Sequence, residues 1–304
     1  MTAQTSIFKN LPLLVIPPLL WAGNVIAARS LRGDFPPLTL SFGRWLISLM
    51  ILLPFVWKII RHDKALYRKN VVRVVGTALT GIAAFNTLVY IGAQTTSGTN
   101  LLLLNSCSPI LIMLIGSLFY GQKLNRFQIV GLLLSLVGVV TIIVQGHWGN
   151  ILALHPNDGD LWMFLAVVCW AFYTLWMRDM PLEINRFGLM AVQMMLALPI
   201  LLGFSLWELS GGGTIVWNSH TVIGLAYVGI FPSLVAYCCY TALIVRVGAL
   251  SAGLTIYLIP VFGVLAAVTL LNEKFYFYHL IGIATIFGGI ILSNKRSRKI
   301  PSAG

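Results

Sequence analysis

Ten long apolar stretches, separated by short polar connections, leave this chain one place to fold. They fall at about 11–29, 38–57, 71–92, 98–119, 127–145, 159–178, 187–207, 221–244, 249–270 and 276–293, each long enough at about 20 residues to cross a bilayer as a helix. The balance of the composition agrees. Only 9% of residues are charged, against about 25% in an ordinary soluble domain, and the mean hydropathy is +0.90. A water-soluble globule of these 304 residues would lack the polar surface to cover its apolar interior. A membrane barrel would alternate apolar and polar residues in segments of about ten, which these uninterrupted runs do not. The expected fold is therefore an all-α integral membrane protein, with no room for a separate aqueous domain.

The net charge of +12 reads as topology rather than as a nucleic-acid surface, because the basic residues sit in clusters between spans. Sixteen of the twenty Lys and Arg, including Lys58, Arg61, Lys64, Arg68, Lys69 and Arg73, fall on the face that holds both termini. Arg29, Arg32 and Lys274 fall on the other, and Arg44 lies inside the second span. Both termini are expected in the cytoplasm. The first span follows Lys9 and invites comparison with a signal peptide, but it is long, contains Pro17 and Pro18, and has a counterpart later in the chain, so it reads as retained. Cys107, Cys169, Cys238 and Cys239 lie within apolar runs, where neither a disulfide framework nor a zinc site is expected.

That counterpart belongs to an internal duplication. Trp21-Ala22 and Arg29 recur as Trp170-Ala171 and Arg178 at an offset of 149, and Pro109, Gln122-Lys123, Gly131 and Gly138 recur as Pro260, Glu273-Lys274, Gly282 and Gly289 at an offset of 151. Each copy holds five spans, and an odd number obliges the second copy to enter from the opposite side. The expectation is ten transmembrane helices as two inverted five-helix repeats, residues 1–145 and 159–304, joined by a loop at 146–158. Such a duplication relates two bundles by a pseudo-two-fold axis in the membrane plane, and a site between them opens to either face at similar energy.

With the ten spans, the W-A-x-N at Trp21 to Asn24, the P-P-L-T-L-S-F-G-R-W from Pro36 to Trp45, and the paired Pro…(Gln/Glu)-Lys…Gly…Gly blocks, the chain resembles the EamA-type transporters of the drug/metabolite transporter superfamily from Leu11 to Ser293. The resemblance implies cytoplasmic termini, a multi-pass protein of a bacterial inner (plasma) membrane, and movement of small metabolites such as amino acids or related amphiphilic compounds, commonly outward. Gln122 in the first block, where the second has Glu273, makes any charge role there asymmetric.

Polar and aromatic residues within spans are the candidates for a substrate cavity, because facing lipid would be costly for them. Trp21 and Asn24 share a helical face, and Trp170 and Tyr173 stand at the equivalent height in the second copy. Asn86 and Tyr90 in the third span and Tyr237 and Tyr240 in the eighth form similar pairs, although an insertion is read as spoiling strict register between these two spans. Asn100 and Asn105 precede Pro109, and Tyr257 precedes Pro260; these prolines interrupt their helices and free a backbone acceptor one turn earlier. Each candidate has a plain alternative as an interhelical strut or an interfacial aromatic. For Arg44 the choices are a fork onto a substrate carboxylate or a snorkelling side chain with a structural or gating role, and its depth favours the latter.

The eight acids and five histidines all fall in loops or at span ends, so no midplane proton relay is available and a uniporter or weakly coupled exchanger is expected. Coupling through an end residue such as Glu273 stays open. No phosphate loop, H-E-x-x-H or pair of intramembrane aspartates is present, which speaks against an enzyme and against a cofactor. A membrane-embedded enzyme acting on lipids and a non-transporting scaffold or receptor remain as alternatives. The expected partners are a small-molecule substrate and the lipid bilayer, with no nucleic acid.

Overall fold

The computed structural model describes residues 10–96, 98–151, 157–270 and 274–293. Among these, nine helices are long and apolar enough to cross a membrane, and a tenth apolar helix is slightly shorter. In chain order they are α1 (Leu11–Ser30), α2 (Pro37–His62), α3 (Val71–Thr95), α4 (Asn100–Tyr120), α5 (Arg126–Ile143), α6 (Asp158–Arg178), α7 (Arg186–Ser210), α8 (Ser219–Val247), α9 (Ala249–Ala266) and α10 (Phe277–Ser293). Starts are set locally. Asn125, Asn157, Asn185 and Asn218 accept bonds from first-turn amides of α5, α6, α7 and α8, and Gly121, at φ 58°, closes α4 in the left-handed conformation that glycine tolerates.

The halves interleave. α5 packs along α10, α2 along α7, α3 against α6, and α1 against α8, so helices of one half find their main partners in the other. The direction of packing reveals the inversion. A Cβ placed on Gly131 would lie 2.4 Å from the carbonyl oxygen of Gly289, and one on Gly138 would lie 2.6 Å from that of Gly282. Seven residues forward on α5 is thus seven residues backward on α10, and the two equivalent helices run antiparallel with backbones in contact, as small residues permit in membranes. Ser135 Oγ adds a bond to the Ile286 carbonyl, 3.2 Å away and also at the repeat offset.

The α2–α7 pair is antiparallel too, and each helix caps the other. Glu208, at the end of α7, accepts from Leu38 N at 3.1 Å and Thr39 N at 2.8 Å at the start of α2. Asp63, just past α2, accepts from Asn185 N at 3.0 Å at the start of α7. Carboxylates at helix N-termini satisfy orphan amides and complement the dipole. Near Asp63, burial and that carboxylate push the Tyr67 phenol above its ordinary range. Asp160 accepts from Asn100 Nδ2 at 3.0 Å and from Thr96 Oγ1, tying α6 to the α3–α4 connection. These acids are structural clasps at the ends of helices.

Candidate functional site

The third span of each half contains one π-helical turn, at Ala78–Ala84 in α3 and Gly229–Val235 in α8. The two segments stand at an offset of 151 throughout, so the register that the sequence seemed to lose to an insertion is intact. A π-turn widens the helix and releases carbonyls from the ordinary ladder. Gly81 O and Pro232 O, themselves repeat equivalents, are used in matching ways: Tyr237 OH donates to the first at 2.9 Å, and Trp21 Nε1 donates to the second at 3.1 Å. Pro232 explains the second turn directly, since it has no N–H to donate.

Just past the α3 turn, beside Phe85 and Asn86, lies a cavity of about 730 Å³, its mouth included, lined by Trp21, Asn24, Phe85, Asn86, Asn105 and Trp170 together with aliphatic side chains. It extends from mid-bundle toward the face at which α1 and α3 end and α4 and α6 begin, where Ala28, Ala93, Leu101 and Met163 border it. Aromatic rings close it on the other side. Trp170 meets Trp21 edge-on at 5.2 Å and lies 5.1 Å from Tyr240 and 5.2 Å from Tyr173. Beyond this plug, a second cavity opens on the opposite face, between the start of α7 and the end of α8, lined by Arg186, Met190, Cys238, Thr241 and Arg246 among others. Tyr173 OH and Thr241 Oγ1, 3.5 Å apart, join plug to vestibule.

Behind Asn24 and Asn86, at the polar end of the first cavity, stands Arg44. It does not snorkel. Its side chain is 0% exposed, and it faces the bundle interior. Nε donates to Ser233 Oγ at 2.6 Å, and Nη1 donates to Asn86 Oδ1 at 2.8 Å, Tyr90 OH at 2.5 Å and, at the longer 3.4 Å, Asn24 Oδ1. The guanidinium also lies 5.3 Å from the Trp45 ring and 5.5 Å from that of Tyr90. Tyr90 OH bonds Asn24 Oδ1 at 3.1 Å, and Asn86 Nδ2 donates to Tyr237 OH at 2.9 Å. Every hydrogen-bonding partner of this buried cation is neutral. Gln193, the repeat equivalent of Arg44, is also buried, but it donates to Thr77 Oγ1 at 2.7 Å and carries no charge.

Of the residues singled out from the sequence, Trp21, Asn24, Asn86, Asn105 and Trp170 line the cavity. Tyr173, Tyr237 and Tyr240 build the plug, and Tyr90 and Arg44 form the network behind Asn24 and Asn86. Two candidates stand elsewhere. Asn100 is held by Asp160 at the start of α4, and Tyr257 belongs with Leu132, Val139 and Ile286 to a separate apolar cluster. Ahead of the two prolines the helix changes form, between Asn105 and Ser108 in α4 and by a tighter turn at Thr255–Tyr257 in α9. Glu273 lies outside the described residues. Phe85 and Ser233 were not anticipated: Phe85 offers no periodic polar signal, and Ser233 matters only because the π-turn aims it at Arg44.

An inverted pair of five-helix repeats enclosing a cavity at their junction is the architecture of an alternating-access membrane transporter. The chain belongs to the EamA-like transporter family, whose model matches residues 9–144 and again 157–295. It is 27% identical over 288 residues to the Bacillus subtilis protein named uncharacterized transporter YetK, covering 92% of this chain and 86% of that one. A transporter of Archaeoglobus fulgidus is likewise 27% identical, over 94% and 98% of the two chains. A Salmonella typhimurium protein named "Probable amino-acid metabolite efflux pump" is 24% identical over 60% of this chain and 62% of its own length. A crystal structure superposes with a TM-score of 0.72 over 94% of this chain and 96% of the other, at 19% identity, which establishes a shared fold.

Proposed function

We propose that this transporter moves small amphiphilic metabolites, amino acids or related compounds, by alternating access through the central cavity, as a uniporter or weakly coupled exchanger working outward in a bacterial inner membrane. The observation that carries the reading is the aromatic plug at the junction of the repeats. It separates a cavity reaching one face from a vestibule on the other, and its rings come from α1, α6 and α8, drawn from both halves. Rocking of inverted halves about such a plug exchanges which side is open. The name of the Salmonella relative supports the metabolite class.

Counterflow in proteoliposomes with labelled metabolites tests it. Initial rates should follow the solute gradient and reverse with it, and an imposed proton gradient should produce no accumulation. Asn24→Ala should lower flux about tenfold, equivalent to about 1.4 kcal/mol, at unchanged membrane abundance. Accumulation driven by protons would overturn uncoupled transport, and abundance falling in step with flux would assign Asn24 to packing. Orientation is tested separately by reporter fusions: those at Gly304 and within 61–70 should report cytoplasm, and one at Gly211 to Gly213 the opposite face. The same location for all three would sink the inverted model.

A further inference from the structure

Resting on that reading of the cavity, we infer that the solute is recognised by a carboxylate, or a like anionic group, drawn to the Arg44 end of the cavity, and that a solute ammonium has no counterpart there. A guanidinium in the membrane interior is costly unless its charge is answered, and buried cations are ordinarily paired. Arg44 is answered only by dipoles. Its Nη2 is buried and makes no hydrogen bond at all. The ion pairs among the described residues, Arg178 with Asp179, His62 with Asp63 and His220 with Asp34, all lie at helix ends or in loops.

The neutral groups around Arg44 are turned to pass its charge toward the cavity. Asn24 Oδ1 takes the bonds from Arg44 and Tyr90, so the group that Asn24 has left to offer a solute is its amide N–H₂, a donor. Asn86 Oδ1 likewise accepts from Arg44 while its Nδ2 is taken by Tyr237. A carboxylate accepts hydrogen bonds and would neutralise the excess charge; an ammonium does neither.

The vestibule on the opposite face repeats the sign independently. Arg186 and Arg246 line it, no carboxylate does among the described residues, and Arg186 Nη1 is buried without a partner. Among the described residues, neither cavity has an acid in its lining, while basic side chains stand at or behind both. The rest of the first cavity, with Trp21, Phe85 and Trp170, suits an apolar or aromatic body. Among amino-acid-like compounds the fit is best for deaminated or N-acylated forms.

The test uses four probes of one shape: 3-phenylpropionate, its primary amide, phenethylamine and phenylalanine, with binding to the purified chain in nanodiscs read by calorimetry and flux in liposomes read with the labelled compounds. The wild type should bind the carboxylate at least tenfold more tightly than the amide or amine, and more tightly than the zwitterion. Arg44→Gln should remove that ratio while leaving the amide's affinity in place, Arg44→Lys should restore part of it, and Asn24→Ala should weaken the carboxylate alone. The wild-type ratio needs no variant, so a misfolded Arg44→Gln does not spare the inference. Equal affinities for carboxylate and amide, tighter binding of the amine, binding of none of the four, or a ratio unchanged in a folded Arg44→Gln would each overturn it. Carboxylate-selective binding without flux would uphold the anion site and sink the carrier reading; flux of all four at equal rates would do the reverse.

Discussion

Gly138→Leu should leave less than a tenth of the wild-type amount of folded protein in the membrane, the largest loss expected of any single substitution outside the site. A side chain at 138 would start 2.6 Å from the Gly282 carbonyl oxygen and 2.9 Å from Ile286 N. Both obstacles are backbone atoms of a regular helix and cannot swing aside. The α5–α10 contact is equally close one heptad away at Gly131 and Gly289, so relief at one point means prying the two helices apart along their length. In a bilayer their association depends on this close packing, because lipid tails compete for the same apolar surfaces. Overpacking alone costs about 1–3 kcal/mol before the lost contacts are added. Gly203→Leu and Gly263→Leu, at positions where an added Cβ meets nothing within 4 Å, should accumulate normally. The readout is size-exclusion profile and yield for all three. A monodisperse Gly138→Leu at wild-type yield would contradict the packing assigned to this pair.

The glycines also mark how far a sequence can be read. The paired blocks containing Gly131, Gly138, Gly282 and Gly289 gave the duplication away, because close backbone approach tolerates only small residues and therefore leaves a fixed spacing. Spans were legible because bilayer thickness fixes their length. What stayed hidden depends on backbone detail within a span. The π-turn in α8 is announced by Pro232, but its twin in α3 has Gly81 at the equivalent place and no proline, so the two helices looked out of register. Arg44 appeared near enough to the membrane surface to snorkel, yet Ser233, brought round by the α8 turn, and the Asn86–Tyr90 pair hold it inward. Asn100 and Tyr257 have the residue types of a cavity and the wrong neighbours: an aspartate from the loop side claims one, and an apolar cluster encloses the other.

The two halves match in backbone and differ in charge. Asn24 with Tyr90 in one half corresponds to Tyr173 with Thr241 in the other, each pair joined by a hydrogen bond, at 3.1 and 3.5 Å. Arg44 corresponds to Gln193. The exchange of access expected from inversion is therefore symmetric in geometry while the cation stays with one half. The state whose open cavity adjoins Arg44 is the one described here, and an anionic solute favours it by as much as its affinity differs between the two states.

Trp170→Ala should convert a saturable carrier into a leak. The indole sits where the cavity ends, 4.6 Å from Phe85 and 5.5 Å from Tyr237 as well as against Trp21, Tyr173 and Tyr240. Deleting it removes the one side chain that touches every other ring of the plug and leaves a void contiguous with the cavity. On the far side Tyr173, which touches Trp170, also reaches Thr241 of the vestibule. Truncation of a buried Trp costs about 3–5 kcal/mol in folded proteins, so lower thermal stability is expected alongside the leak. Trp170→Phe keeps a ring at the centre and should retain saturation with a smaller loss of stability. Flux against solute concentration separates the outcomes. A carrier saturates because one solute occupies the site while the plug holds the other side shut, whereas a pore rises in proportion to concentration and passes solutes unrelated to the substrate. If Trp170→Ala reaches the membrane folded and still saturates at the wild-type concentration, the barrier between the two faces lies somewhere other than this aromatic layer.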